Sequence, residues 1–158
     1  MATYSFQTIQ RIPISLEQAW DFFSNPANLQ RITPGEMGFE IVSTFHGTTM
    51  YPGQLIEYTV KPLLGIPLYW MTEITHVQDM QYFIDEQRFG PYSLWHHQHH
   101  FKAIEGGVEM TDIVHYRIPL GPLGDLANAL FVRAKLKKIF DFRYEAVENL
   151  FGKWSAKG

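Results

Sequence analysis

Alternation of apolar and polar residues fills the middle of the chain, and helical spacing takes over toward its C-terminal end. Residues 3–12 read as a strand, ended by Pro13. Ser15-Leu16-Glu17-Gln18 then matches a capping box, in which Ser15 and Gln18 satisfy each other's orphan backbone donors. A short helix should follow, with Leu16, Ala19, Trp20 and Phe23 on one face. Asn25-Pro26 restarts the chain: Asn25 can cap a second helix and Pro26 suits its first position. That helix runs to about Ile32 and stops before Pro34-Gly35.

Strands are predicted over 38–45, 54–61, 67–77, 81–89, 92–104 and 108–118. Tyr51-Pro52-Gly53, residues 62–65, Gln78-Asp79, Gly90-Pro91 and Gly106-Gly107 break them apart. The Gly-Gly pair suits a tight hairpin that needs positive φ. Such short connections imply antiparallel neighbours, because a parallel crossover needs a dozen or more residues. From about Asp125 to Trp154 the period is helical, and Gly152 is the first Gly or Pro met. Ala129, Val132, Leu136, Ile139, Phe140, Val147, Leu150 and Phe151 form its apolar stripe. Arg133, Lys137, Lys138, Arg143 and Glu145 supply the polar side. A helix of roughly 28 residues would span about 42 Å, most of a sheet. The predicted class is α+β in one domain over 1–158: about seven antiparallel strands curling around a long C-terminal helix.

Composition narrows the function. The chain is 46% hydrophobic and 15% aromatic, and aromatics line apolar ligand cavities as readily as they fill cores. The net charge of −3 argues against nucleic acid as partner. With no cysteine, disulfides and thiolate metal sites are excluded. Residues 1–13 lack the basic and apolar regions of a signal peptide, and no apolar run is long enough to span a bilayer. A soluble, cytoplasmic protein is expected.

Strand alternation then places the candidate chemistry. In 92–104, Trp95, His97, His99, Phe101 and Ala103 share the more apolar face. In 108–118, Met110, Asp112, Val114, Tyr116 and Ile118 do so, and in 67–77, Leu68, Trp70, Thr72 and Ile74. Strand 81–89 is ambiguous: Phe83, Asp85 and Gln87 oppose Tyr82, Ile84 and Glu86. These phases put His97, His99, Asp112, Tyr116, Asp85 and Gln87 in one cavity among Trp70, Trp95 and Phe101. Buried polar groups need partners, so the His and Asp side chains can simply satisfy one another. A His–Asp pair in an apolar cavity can also act as general base, with Tyr116 donating to a developing oxyanion. The His96-His97-Gln98-His99-His100 run invites a metal, but no second ligand motif accompanies it, and no metal is expected. No nucleophile elbow, P-loop or dinucleotide fingerprint is present, and no cofactor is expected. Arg133, Lys135, Lys137 and Lys138 form a solvated face or a membrane-surface contact. Residues 62–67 form an apolar loop, read as a packed turn or as a pocket lid and membrane-dipping loop.

The run Asp85-Glu86-Gln87-Arg88-Phe89-Gly90-Pro91-Tyr92 leading to Trp95-His96-His97-Gln98-His99-His100-Phe101 resembles the START-like, or SRPBCC, superfamily. So do residues 111–124, from Thr111-Asp112 to Pro122-Leu123-Gly124, and the early helix followed by Asn25-Pro26-Ala27-Asn28-Leu29. The likeness covers essentially the whole chain. It is similar to the polyketide cyclase-like and pollen-allergen-like members, above all to bacterial ligand-binding ones. The resemblance implies a helix-grip fold that holds lipids, polyketides or aromatic molecules between sheet and helix. It further implies Trp70, Asp85, Gln87, Trp95, His97, His99, Asp112 and Tyr116 as pocket positions. The Cys and His pattern of Rieske-linked members is absent, so no iron–sulfur role carries over. Binding of a small or medium hydrophobic ligand is the leading expectation. A cofactor-free cyclase or dehydratase using the same His and Asp groups, and a protein-interaction module, are the alternatives. The partner expected is a small ligand, in a monomer or homodimer with at most peripheral membrane contact.

Overall fold

A computed structural model describes residues 2–44, 49–61 and 65–155. Strand β1 (Tyr4–Ile12) leads into helix α1 (Leu16–Phe23) through the predicted capping box. The Gln18 N–H donates to Ser15 Oγ at 3.2 Å, and the Ser15 N–H to Gln18 Oε1 at 3.0 Å. α1 buries Ala19, Trp20, Phe22 and Phe23. Asn25 Oδ1 accepts from the Ala27 N–H at 3.0 Å and opens the next helical segment, Pro26–Ile32. This segment is a 3-10 helix, whose Asn28 N–H reaches back three residues to the Asn25 carbonyl. A second 3-10 turn spans Gly35–Met37.

The predicted strand 38–45 contracts to β2 (Glu40–Ile41). Gly38 adopts a left-handed φ of 50° as the preceding turn ends. The Val42 and Ser43 N–H groups then share one acceptor, the Glu57 carbonyl, at 2.8 and 3.3 Å. Two residues on one acceptor interrupt the alternation a ladder needs. Phe45 and, from the apolar loop, Pro62, Leu63 and Leu64 lie outside the described residues.

β3 (Leu55–Val60), β4 (Leu68–Gln78), β5 (Tyr82–Phe89), β6 (Leu94–Ile104) and β7 (Gly107–Arg117) follow as a meander. The sheet has seven strands in the order β1-β7-β6-β5-β4-β3-β2, with every neighbouring pair antiparallel. β1 therefore closes onto β7, from Tyr4 opposite Tyr116 to Ile12 opposite Val108. Register shifts at Met71/Thr72 and Ile74/His76 bend the sheet along β4 and β5. The two hairpin glycines do different jobs. Gly106 takes φ 83° in the turn, while Gly107 already belongs to β7, where a Cβ would stand 2.1 Å from the Ile12 carbonyl oxygen.

The C-terminal helix begins at Pro122, ahead of the predicted start, and ends at Phe151 rather than Trp154. Gly152, at φ 96°, stops it, and Trp154 turns back against Gly106 and Gly107. A π turn over Asn128–Val132 separates α2 (Pro122–Ala127) from α3 (Arg133–Phe151). Leu136, Phe140 and Val147 are buried against the sheet, but Ala129 and Leu150, predicted on the same stripe, are exposed. The wider π turn shifts the residues up to Val132 out of phase with α3, which takes Ala129 off the stripe. Leu150 lies within α3 itself and is 38% exposed. Arg143, predicted on the polar side, is turned inward and its side chain is only 12% exposed.

Two hydrophobic clusters flank the middle of the sheet. Trp20, Phe83, Phe101, Val108, Met110 and Val147 belong to the larger. Val114, Tyr116, Leu136 and Phe140 form the smaller. Each such large side chain, fully buried, contributes about 1.5–3 kcal/mol. Among the described residues, no helix is long and apolar enough to cross a membrane.

Candidate ligand cavity and its buried polar cluster

The pleat of β6 turns Trp95, His97, His99 and Phe101 toward the helix, but Ala103, predicted with them, is exposed. On β7, Met110, Asp112, Val114 and Tyr116 are buried. On β5, Phe83 is buried and Asp85 shares its face, so the ambiguous strand takes the Phe83–Asp85 phase.

Asp85 stands opposite His97 across β5 and β6, and Asp112 opposite His99 across β6 and β7. Each imidazole is thereby placed between two carboxylates. His97 Nε2 lies 3.0 Å from Asp112 Oδ1, and its Nδ1 3.5 Å from Asp85 Oδ2. His99 Nε2 lies 2.7 Å from Asp85 Oδ2, and its Nδ1 2.9 Å from Asp112 Oδ1. The last contact is out of line, and His99 Nδ1 makes no hydrogen bond among the described residues. The two rings are 3.7 Å apart at their centroids, and Phe83 stacks on His99 at 4.1 Å. Arg143 reaches in from α3, its Nη2 3.6 Å from Asp112 Oδ1 and its guanidinium over Phe23 and Phe140.

Burial opposes charge on all four groups, and their partners decide the outcome. For Asp112, burial is outweighed by Arg143 and the two imidazoles, which hold the carboxyl well below its ordinary range. For Asp85, burial is likewise outweighed by His97 and His99, and the carboxyl stays lowered. The imidazoles diverge. Burial, reinforced by the neighbouring His99, lowers His97, whereas the adjoining carboxylates of Asp112 and Asp85 overcome burial and raise His99. The two carboxylates therefore face Arg143, and of the two imidazoles His99 takes a proton more readily than His97.

Above this cluster lies a cavity of about 380 Å³ between the inner face of the sheet, the 3-10 turns and α3. Small-molecule sites span roughly 300–1,000 Å³. Asp85, His97, His99 and Arg143 give it a charged patch, flanked by Phe83 and Phe140. Tyr58, Trp70, Tyr92 and Trp95 form an aromatic group in its wall. Trp70 meets Trp95 edge-on at 5.4 Å and Tyr92 at 5.5 Å, and stacks near Tyr58 at 5.9 Å. Trp70 Nε1 donates to Thr72 Oγ1 at 3.1 Å, and the Tyr58 and Thr72 hydroxyls share a hydrogen bond of 2.9 Å. Burial pushes the Tyr58 and Tyr92 hydroxyls above the usual phenol range, so both stay neutral.

Of the residues read from the sequence as pocket positions, Trp70, Asp85, Trp95, His97 and His99 line this cavity. Asp112 lies behind the histidines and acts on the cavity through them. Gln87 does not line it. Its Nε2 donates to the Tyr92 carbonyl at 2.6 Å and its Oε1 accepts from the Tyr92 N–H at 3.1 Å, which fixes the β5–β6 turn. Tyr116 is also outside, its hydroxyl bound to Asn128 Oδ1 at 2.9 Å, and so is not placed as an oxyanion donor. Phe101 packs in the core with Trp20 and Phe23. The sequence reading missed Arg143, Tyr58 and Tyr92. Arg143 was legible in principle: at i+3 from Phe140 and i−4 from Val147 it continues the buried stripe, but its charge assigned it to solvent.

No family model matches the chain, and no curated protein matches it. Solved structures do. A protein of Thermus thermophilus is 14% identical, with a TM-score of 0.67 over 92% of this chain and 95% of that one. Ara h 8.0201 is 18% identical, with a TM-score of 0.63 over 94% and 97%. Ginseng major latex-like protein 151, from Panax ginseng, is 10% identical, with a TM-score of 0.65 over 94% and 97%. At such identities the likeness establishes architecture, and with the topology above it shows that the chain has the START-like helix-grip fold.

Proposed function

We propose that the chain binds a small or medium hydrophobic or aromatic ligand that carries one polar group, and that the cavity under α3 is its site. The observation that carries this reading is the cavity's mixed lining: a group of four mutually packed aromatic rings, and a charged patch of Asp85, His97 and His99. The rings would bury the ligand's apolar body at about 25 cal/mol per Å². The polar cluster would orient its hydrogen-bonding group. The resemblance to ligand-holding START-like proteins points the same way. This reading needs no organic cofactor, and a cysteine-free chain suits the cytoplasm as its setting.

The test is native mass spectrometry of protein purified gently from its own host, followed by denaturing extraction. A co-purifying molecule near one per chain, lost from Trp95→Ala, is the expected result. A chain without one, whose tryptophan fluorescence also ignores anilinonaphthalenesulfonate, would count against the reading.

A second reading rests on His97, which is neutral, buried and held between two carboxylates at the cavity wall. Such a group can take a proton from a bound substrate, as a cyclase or dehydratase requires. Turnover of an aromatic polyketide substrate that disappears in His97→Ala would support it, and undiminished turnover would remove it.

A further inference from the structure

We propose that Asp85, His97 and His99 form a binding site for one first-row divalent metal ion, such as Zn²⁺ or Fe²⁺, with open coordination positions toward the cavity. One nitrogen of each imidazole and one oxygen of Asp85 lie within 4.8 Å of one another. The ligands sit on adjacent strands and one face: the histidines two residues apart on β6, the aspartate opposite His97 on β5. The sequence offered no second ligand motif because the third ligand comes from a neighbouring strand.

The outer shell carries the argument further. Metal-bound imidazoles characteristically donate their other N–H to a carboxylate, which sets the tautomer and orients the ring. Here both rings have such a carboxylate, and it is the same one. His97 Nε2 and His99 Nδ1 lie 3.0 and 2.9 Å from Asp112 Oδ1, on the side away from Asp85. With a metal bound, hydrogens on those two nitrogens would leave His97 Nδ1 and His99 Nε2 as the ligating atoms; these now lie 3.5 and 2.7 Å from Asp85 Oδ2. His99 Nδ1 is buried and makes no hydrogen bond, although Asp112 is within reach. Arg143, near Asp112, supplies the counter-charge that keeps this second carboxylate in the outer shell.

Two imidazoles and one carboxylate with open positions suit zinc in a site of the catalytic type, or non-haem iron. Asp85, His97 and His99 all line the cavity, so the open positions face it. Two carboxylates, Arg143 and a divalent ion sum to one positive charge, which favours an anionic oxygen as the next ligand. If the binding function proposed above holds, the polar group of its ligand is then a carboxylate, phenolate or enolate. The metal site itself does not depend on that function.

The experiment is calorimetric titration of the chelator-treated full chain with Zn²⁺, paired with the visible spectrum of its Co²⁺ form. One ion per chain and the intense bands of four- or five-coordinate cobalt are expected. Asp85→Asn should weaken binding by more than about 100-fold. Asp112→Asn should weaken it by about 10- to 100-fold and shift the cobalt bands, as loss of an outer-shell partner does. The control is His96→Gln with His100→Gln. These histidines make their contacts away from the site, with Glu86 and Gln98, and their loss should leave binding unchanged. Absence of binding, the weak bands of octahedral cobalt, or binding that follows the control pair would overturn the proposal. The cobalt spectrum of the unsubstituted chain decides even if a variant fails to fold. Binding is read without organic ligand, so its failure is separate from failure of the proposed function.

Discussion

In one part of the site Tyr58, Trp70, Tyr92 and Trp95 meet through ring faces and edges; in the other, Asp85, His97, His99 and Arg143, with Asp112 behind them, meet through charge. The difference lies in what a missing member does to its neighbours. A missing ring leaves space, which water, a ligand or relaxation can fill. A missing carboxylate leaves buried cations without a partner, and their desolvation is then uncompensated. The charged part should therefore govern whether the protein stands, and the aromatic part what it holds.

Asp112→Ala tests the first half of that statement. It strips the shared partner from His97, His99 and Arg143, and should cost about 3–5 kcal/mol of stability in urea unfolding, the usual cost of breaking a buried charge pair. A loss below about 1 kcal/mol would mean that the two parts do not differ in this way. Trp95→Ala tests the second half. It removes a half-buried ring that borders the cavity, so its stability cost should be smaller, about 1–2 kcal/mol. Its main effect should be on affinity for an aromatic probe, weakened by about tenfold or more, equivalent to about 1.4 kcal/mol. If stability fell as far as in Asp112→Ala, Trp95 would be a core residue rather than a cavity wall.

Gln87→Ala sharpens the comparison from beside the aromatic part. It removes both hydrogen bonds to the Tyr92 backbone, worth about 1–2 kcal/mol together. Tyr92 would lose its fixed turn but keep its ring contacts with Trp70 and Trp95. Probe affinity should fall less than in Trp95→Ala, and an equal fall would make the turn as decisive as the ring.

Legibility in the sequence followed the same division. The period-two strands, the capping box and the long helix were readable because each is written in local residues: Ser15 with Gln18, or the alternation from Trp95 to Phe101. The polar cluster was readable as far as strand phase reaches, which brings His97, His99 and Asp112 onto one side of the sheet. Phase says nothing about depth along the strand. Tyr116 and Phe101 have the right face and the wrong neighbours, because Asn128 and Trp20 come to them from helices whose docking no strand pattern encodes. Gln87 has the right face as well, but its amide is taken by the backbone of the adjacent turn. Arg143 was hidden for another reason: charge and periodicity disagreed, and periodicity was the better guide.

The π turn divides the C-terminal helix into pieces with unequal hold on the sheet. α3 is fastened by Leu136, Phe140 and Val147, whereas Leu123 and Leu126 of α2 and Leu130 of the π turn are 69%, 55% and 70% exposed. Asp125 helps to tie α2 down, accepting from the Tyr4 hydroxyl at 2.8 Å and the Ala2 N–H at 3.2 Å. Those hydrogen bonds hold the Asp125 carboxyl below its ordinary range. The tie is therefore complete above the ordinary aspartate pKa and fades as pH falls through the lowered one. Amide hydrogens over 122–130 should exchange with deuterium faster than those over 140–151 at neutral pH. With the intrinsic pH dependence of exchange removed, protection over 122–127 should weaken further in acid while the later stretch keeps its own. Equal protection along the whole helix would show that it opens as one rod. Unequal protection would mean that one continuous run of backbone carries two local stabilities, and that the first half can fray while the second keeps the fold intact.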